Sequence, residues 1–176
     1  EELNEDSNII IEEDLKVKAN VKAKPRTISK NKGIDRDVAW NLQMINADKA
    51  NINSNQKVKV AIIDSGVDAI SGIKVKERIN LVDDKEDNLL FFEDYSGHGT
   101  SVAGIIAGSN GENNVEGINP NVELYSAKVL DDNNVAPISR VIEGIYWAIE
   151  QDVDIINLSL GTTVYSEALE KAIKDA

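Results

Sequence analysis

Short apolar runs, each separated from the next by a helical pattern, are the feature that most constrains the fold of this chain. The runs lie at 58–63, 123–130 and 153–160. Such runs are typical of strands that are buried on both faces. Strands that alternate with helices predict an α/β fold of three layers, α/β/α, with a mainly parallel sheet and right-handed crossovers. A weaker strand is predicted at 79–82.

Helices are predicted between and after these strands. The segment 98–108 is built mostly from small residues, and Gly99 and Gly104 within it indicate close packing against a neighbouring element. The following helix has the clearest apolar stripe, because its apolar residues recur at spacings of three and four. That stripe consists of Ile138, Val141, Ile142, Ile145, Ala148 and Ile149. Further helices are predicted at 38–45 and 166–176.

Residues 1–33 differ from the rest of the chain, because they are charged, carry no helical stripe and contain Pro25. We interpret them as an extended N-terminal arm or linker, and 34–176 as part of a globular domain. Two interpretations of the arm stay open. It is either a partly disordered terminus or the remnant of a pro-segment that still lies on the domain.

Charge and composition exclude several classes of function. The sequence has 31 acidic and 19 basic residues, for a formal net charge of -12, which argues against binding to nucleic acid. No apolar run is long enough to span a membrane. The absence of cysteine excludes thiolate catalysis, and a single histidine, His98, excludes a zinc site built on two histidines. No Gly-x-Gly-x-x-Gly motif follows a predicted strand, which disfavours dinucleotide binding.

Two titratable residues fall at one end of the predicted sheet. Asp64 ends the first apolar run, and His98 begins the helix of small residues. Taken singly, an Asp before Ser-Gly is most often a turn former, and a lone histidine is most often structural. Ligands of such folds bind at the carboxyl ends of the strands, so we expect the two side chains to meet there. A carboxylate that accepts one ring N–H leaves the other imidazole nitrogen free as a base.

Three motifs occur in a fixed order along the domain. They are VAIIDSGV at 60–67, GHGTSVAG at 97–104 and INLSLG at 156–161. In this order they resemble the signature blocks of the subtilisin-like serine proteases, over about residues 37–176. The resemblance implies that Asp64 orients His98, which acts as general base and then as general acid. It also implies a cleft in which an extended peptide pairs with main chain on both sides. The cleft residues are Ser159, Leu160 and Gly161 on one side and the loop around Asn133 and Val135 on the other.

The same resemblance implies groups that these residues do not supply. The family's nucleophile belongs to a Gly-Thr-Ser block, and the one here, 99–101, is part of the histidine motif. The oxyanion-hole asparagine also has no counterpart up to Ala176. We therefore expect the N-terminal portion of a serine endopeptidase, inactive alone, with the fold incomplete at its C-terminus. The alternative is a catalytically inactive pseudoprotease or peptide-binding module with the same fold.

The resemblance also implies what the complete protein binds. The expected partners are an extended peptide or precursor peptide, the protein's own pro-segment, and the C-terminal remainder that carries the serine. No cofactor is expected for catalysis. Relatives often bind calcium in the loop that corresponds to 110–114, but Gly111 replaces a side-chain oxygen, which argues against a structural calcium site. The composition is similar to that of secreted Gram-positive enzymes, including lantibiotic leader peptidases, and suggests an extracellular or cell-wall location.

Overall fold

The structure is a computed structural model that describes residues 10–19, 40–50, 57–82, 93–109 and 116–176. Its strands are β1 (Lys16–Ala19), β2 (Lys59–Asp64), β3 (Val75–Asn80), β4 (Glu123–Lys128), β5 (Val135–Pro137), β6 (Ile155–Asn157) and β7 (Leu160–Gly161). Its helices are α1 (Trp40–Met44), α2 (His98–Ala107), α3 (Ile138–Glu150) and α4 (Glu167–Asp175). The domain boundary predicted at 33/34 and the calcium-type loop at 110–114 lie outside the described residues.

The central element is a four-stranded sheet with the order β3-β4-β2-β6, and all of its strand pairs are parallel. β2 and β4 pair without interruption from Lys59 with Glu123 to Asp64 with Lys128. The predicted parallel sheet is therefore confirmed. Parallel strands bring their carboxyl ends to one end of the sheet, so Asp64 lies where such folds bind their ligands.

Helices cover both faces of this sheet and complete the three predicted layers. Ile63 of β2 shares an apolar cluster with Val141 of α3. The preceding residue, Ile62, shares a second cluster with Ala103 of α2. Successive side chains of a strand point to opposite faces, so a strand covered on both sides is apolar at every position. This is why the run at 58–63 has almost no polar residue.

Helix α3 follows the predicted stripe with one addition, Gly144, and two exceptions, of which Ile142 is only partly buried. Its buried residues are Ile138, Val141, Gly144, Ile145 and Ala148. Ile149, at the end of the stripe, is 37% exposed. A Cβ atom added to Gly144 would lie 2.9 Å from Val129 Cγ1, just after β4, and 3.1 Å from Ile63 Cγ2 of β2, so the glycine lets α3 approach the sheet closely. Apolar periodicity does not register such a residue, because glycine has no side chain to count.

Two strands differ from their predicted extents. Of the run 153–160, only Ile155–Asn157 forms β6, and among the described strands it pairs with β2 alone. Ile155 is 52% exposed, because β6 lies at the edge of the described sheet and one of its faces is uncovered there. β3 begins at Val75 rather than at 79, because pairing with β4 already starts at that residue.

A second, smaller sheet joins the N-terminal arm to the domain. β1 is its middle strand and runs antiparallel to both β5 and β7. The described part of the arm, 10–19, thus lies against the domain, whereas 1–9 and 20–33 lie outside the described residues. No helix in the described ranges is long and apolar enough to cross a membrane.

Candidate active site

Asp64 and His98 are in direct contact at the carboxyl end of β2. Asp64 is the last residue of β2 and is fully buried, and His98 is the first residue of α2 and is 9% exposed. The Nδ1 atom of His98 lies 2.7 Å from Oδ1 of Asp64. An ionised carboxylate can only accept, so Nδ1 donates its proton and Nε2 keeps a free lone pair. The predicted pair is thus formed in the orientation that a general base requires.

The surroundings of Asp64 act on its charge in opposite directions. Burial raises the pKa of the Asp64 carboxyl, while hydrogen bonds from His98 and from the main-chain N–H of Ser65 oppose that rise. The Ser65 N–H lies 2.7 Å from Oδ1, the same oxygen that faces His98. The other oxygen, Oδ2, is buried and has no partner among the described residues. The hydrogen bonds that favour the ionised carboxylate therefore converge on the oxygen that holds the imidazole.

Two glycines let helix α2 begin so close to Asp64. Gly97 precedes the helix with a φ of 74°, a left-handed conformation that glycine adopts without strain. A Cβ atom on Gly99 would lie 2.1 Å from the main-chain oxygen of Gly66 and 3.2 Å from Cβ of Asp64. The close packing predicted for Gly99 therefore occurs against the residues that follow β2. It sets the distance between the helix and the carboxylate.

The predicted cleft segments follow the two strands that flank β2. β5 follows β4 after a connection that is hydrogen-bonded to Asp64. In this connection, the N–H groups of Val129 and Leu130 donate to the main-chain oxygen of Asp64 at 2.8 and 3.1 Å. β7 follows β6, whose last residue, Asn157, pairs with Ile62 of β2. Both segments therefore start from the end of the sheet that carries Asp64.

β1 lies between these two segments. Val135, Leu160 and Gly161 each pair with a residue of β1. The N–H of Ala19 also donates to the main-chain oxygen of Asn134 at 3.1 Å. Three of the five predicted cleft residues are thus brought together on either side of an extended strand. The strand is part of the chain itself.

The other two predicted cleft residues are placed less directly. Ser159 lies just before β7, and its Oγ accepts a hydrogen bond from Asn157 Nδ2 at 2.9 Å. Asn133 is exposed in the turn before β5, where its N–H donates to Asp131 Oδ1. The residue that contacts β1 is the next one, Asn134, at a φ of 59°. Asparagine tolerates this left-handed conformation better than most residues, and the Asn-Asn pair was the only sequence signal for it.

Metal ligands are not grouped in the described part of the chain. No set of three or more His, Asp or Glu side chains there is placed to hold a metal ion. The arrangement of Asp64, His98 and the flanking strands instead suits proton transfer next to a bound, extended main chain.

Comparison with known proteins agrees with this geometry. Residues 55–176 match the model of the subtilase family. The chain belongs to the subtilase family. The matched segment contains Asp64, His98 and both strands that flank β1, so the resemblance and the fold class expected from the three motifs are confirmed.

Curated relatives of this subtilase chain are serine and alkaline proteases. It is 41% identical over 145 residues to an intracellular serine protease of Paenibacillus polymyxa, covering 80% of the chain and 44% of the relative. It is 35% identical over 166 residues to a thermostable alkaline protease of Halalkalibacterium halodurans, covering 92% and 44%. It is 37% identical over 142 residues to subtilisin DY of Bacillus licheniformis, covering 79% and 50%. The chain thus spans half the length, or less, of these relatives.

Proposed function

We propose that this subtilase chain is the N-terminal portion of a serine endopeptidase and supplies the aspartate and histidine of its catalytic triad. The observation that carries the proposal is the 2.7 Å contact between His98 Nδ1 and the buried Asp64 Oδ1. It leaves Nε2 of His98 available as a base. The nucleophilic serine and the oxyanion-hole donor are assigned to a C-terminal remainder, and residues 1–176 alone are expected to be inactive.

In the proposed reaction, His98 transfers one proton in each of two halves. In the first half, its Nε2 takes the proton of the serine hydroxyl as the serine oxygen attacks the carbonyl carbon of the peptide, and gives that proton to the amine that leaves. In the second half, Nε2 takes a proton from the water that attacks the acyl-enzyme and returns it to the serine oxygen as the acyl bond breaks. Asp64 stays ionised and stabilises the imidazolium that forms in between. These steps use side chains and water, so no cofactor is proposed for catalysis.

The proposed substrate is a peptide in an extended conformation. β5 and β7 offer main-chain hydrogen bonds from two sides, and such bonds hold a peptide by its backbone whatever its sequence. Pockets under alternate side chains then select particular residues. Val17 of β1 illustrates this, because it is fully buried in an apolar cluster with Ala136 and Ile138. The exposed Lys16 and Lys18 on either side point away from that cluster.

We further propose that the arm is the protein's own pro-segment, which competes with substrate for this cleft. Outside β1, two acidic residues hydrogen-bond the arm to the domain, each at the start of a helix. Asp14 accepts from the N–H and hydroxyl of Ser139 at 2.9 and 2.7 Å, at the first turn of α3. Glu12 accepts from the Ser166 hydroxyl and from the N–H of Glu167, at the start of α4. Negative charge at a helix N-terminus is favourable, so both contacts favour the docked arm.

A finer proposal concerns the substrate class and the location of the enzyme. We propose that the protease removes the leader of a lantibiotic precursor outside the cell or at the cell wall. The charged arm and the Asn-, Lys- and Ile-rich composition support this. A net charge of -12 would attract a substrate with a basic residue before the scissile bond. The names of the relatives include an intracellular protease and a minor extracellular protease, so location is tested by cell fractionation.

The test uses the full-length protein and an unstructured peptide substrate. Wild type is expected to hydrolyse the peptide and to be labelled on a serine beyond residue 176 by a serine-directed phosphonate. His98→Ala should abolish turnover and leave the fold, measured by circular dichroism, intact. Ser101→Ala is the matched control, because the hydroxyl of this serine in the Gly-Thr-Ser sequence donates to the main-chain oxygen of Gly97. It should retain turnover.

Two results would contradict the proposal. Turnover that survives in His98→Ala would remove the assigned base, and loss of turnover in Ser101→Ala would mean that the nucleophile is misassigned. A folded full-length protein with neither turnover nor label would identify the chain as a pseudoprotease. A precursor peptide with its leader attached, compared with the same peptide carrying a scrambled leader, tests the finer proposal separately.

A further inference from the structure

Asp94 is a second buried carboxylate beside the Asp64–His98 pair, and it has no direct part in the proposed reaction. It is 5% exposed and lies in the segment that leads into α2. The hydroxyl of Ser65 connects the two carboxylates, because its Oγ lies 2.8 Å from Oδ1 of Asp94 and 3.1 Å from Oδ1 of Asp64. A hydroxyl has one proton, so Ser65 donates to only one of them at a time.

A second hydroxyl, that of Ser96, contacts both Ser65 and Asp94. Ser96 Oγ lies 3.1 Å from Asp94 Oδ1 and 2.9 Å from Ser65 Oγ, so it also has a choice of acceptor. Ser96 therefore donates either to Asp94 or to Ser65, while Ser65 donates either to Asp94 or to Asp64. The hydrogen bonding of Asp64 is therefore coupled to Asp94 through two hydroxyl groups.

Asp94 also holds the helix that carries His98. Its Oδ1 accepts from the N–H of Gly97 at 2.9 Å, and its Oδ2 accepts from the N–H of Thr100 at 2.8 Å. Gly97 directly precedes α2 and Thr100 lies in its first turn, where the N–H groups have no partners within the helix. One carboxylate thus fixes the start of α2 and the hydroxyl next to Asp64.

We propose that Asp94 is a positioning residue, which aligns His98 with Asp64 through α2 and through the Ser65 hydroxyl. The proposal rests on the proposed proteolytic function for its kinetic consequence, but its geometric part does not need turnover. A residue that only capped α2 would affect stability without acting through Ser65. The two roles therefore differ in whether Asp94 and Ser65 affect the Asp64–His98 contact together.

The experiment is a double-mutant cycle with Asp94→Asn and Ser65→Ala in the full-length protein. Asp94→Asn keeps the size of the side chain but replaces one accepting oxygen by a donor. Ser65→Ala removes the connecting hydroxyl, which also accepts the Gly99 N–H at 3.0 Å, and leaves the bonds of Asp94 to Gly97 and Thr100 in place. The first readout is the proton resonance of His98 Nδ1, assigned by its loss in His98→Ala. The second is kcat and KM for peptide hydrolysis.

Both single variants are expected to shift the resonance and to lower kcat by about 10- to 100-fold with KM little changed, since a small misplacement of a catalytic group costs that much. The double variant should lose no more than the larger single effect, because both changes break one connected path. Asp154→Asn is the matched control. Its carboxylate accepts a main-chain N–H from Lys59 at the opposite end of β2, and both readouts should be unchanged.

An unmoved resonance in both folded single variants, or effects that add in the double variant, would overturn the proposal. If Asp94→Asn does not fold, Ser65→Ala alone decides, since it removes the connection and the acceptor of the Gly99 N–H but keeps the bonds of Asp94 to Gly97 and Thr100. If the full-length protein has no turnover, the proposed function fails while the resonance still tests the positioning role.

Discussion

The Asp64–His98 pair and the sheet of β5, β1 and β7 begin from the same end of the central sheet, but they are built in different ways. The pair joins the end of a buried strand to the start of a helix, 34 positions apart, and the hydroxyls that hydrogen-bond to it, those of Ser65 and Ser96, lie next to these two elements in the sequence. The small sheet depends on an arm that is bound to the domain across 125 and 154 positions of sequence. Without β1, neither β5 nor β7 would pair with any other described strand.

The two regions therefore differ in how they are held. The Asp64–His98 pair lies in the interior and is held by contacts that folding of the central sheet already provides. β1 is a separate segment between β5 and β7, and the proposed function requires that other extended chains can replace it. A protease needs both properties, because its proton-transfer groups must stay in place while its peptides come and go. Variants in each region should therefore fail in different ways.

The largest effect is expected from Asp64→Asn. The amide favours the wrong imidazole tautomer, and in a chymotrypsin-type triad such a change lowers kcat by about 10⁴-fold. KM for the peptide should stay close to wild type, because β5 and β7 are untouched. Steady-state kinetics on the full-length protein check this. Asp152→Asn, at an exposed carboxylate that pairs with Lys59, is the control and should leave kcat unchanged. A full-rate Asp64→Asn enzyme would contradict the assigned triad.

A smaller effect, confined to the cleft, is expected from Val17→Asn. The buried valine loses its apolar contacts and the amide enters an apolar cluster, which costs about 3 kcal/mol of arm docking. A labelled peptide with the sequence of residues 10–19 should then bind the full-length protein about 10²-fold more tightly, because its competitor is weakened. Fluorescence polarisation in a His98→Ala background measures this without cleavage.

The control for this change is Lys18→Asn on the same strand. Lys18 is exposed, so its replacement should leave peptide affinity within about 0.5 kcal/mol of that of the parent. Equal affinities for the Val17→Asn and Lys18→Asn proteins would mean that the arm does not compete for the cleft. The catalytic pair should be unaffected in both, and an unchanged His98 Nδ1 proton resonance checks that.

The same contrast explains which parts could be predicted from the sequence. The run before Asp64 is apolar on both faces, and the helix after His98 is made of small residues, so strand, helix and their meeting point all have local signals. β1 has only one buried residue, Val17, between exposed lysines, and its partners lie far along the chain. Nothing in such a segment specifies where it pairs. Asp94 was also missed, because an acidic residue in a polar segment has no pattern that separates a buried carboxylate from an exposed one.

A pair of glycine substitutions tests the contrast in packing. Gly99→Ala puts a methyl group 2.1 Å from a main-chain oxygen beside Asp64, so the helix must shift, at a cost of about 1–3 kcal/mol. Gly161→Ala in β7 meets no atom within 4 Å, and the fold should tolerate it. Thermal unfolding of both proteins provides the comparison. Equal midpoints would show that the catalytic region is not the more tightly packed of the two.

The smallest effect is expected from the charge of the Asp14 carboxylate, which helps to bind the arm to the domain. The N–H of Ser139 lowers the pKa of Asp14 from its ordinary value of 3.8, so the docked arm favours the ionised carboxylate. A depressed carboxyl pKa stabilises docking above the undocked pKa, and this contribution is lost as the pH falls through the docked one. Asp14 is exposed and its charge is screened, so we expect less than about 1 kcal/mol.

Asp14→Asn isolates that contribution, because it keeps an accepting oxygen and cannot ionise. Hydrogen exchange of the β1 amides should show wild type losing protection as the pH falls below about 4, where an ordinary Asp carboxyl is protonated. The β1 amides of the variant should start with less protection from exchange, and their protection should change less over the same pH range. Exchange of the β2 amides serves as the internal reference, since those hydrogen bonds lie in the central sheet. If β1 and β2 lost protection together, the arm would unfold with the domain, and it could not be exchanged for a substrate while the catalytic pair stays in place.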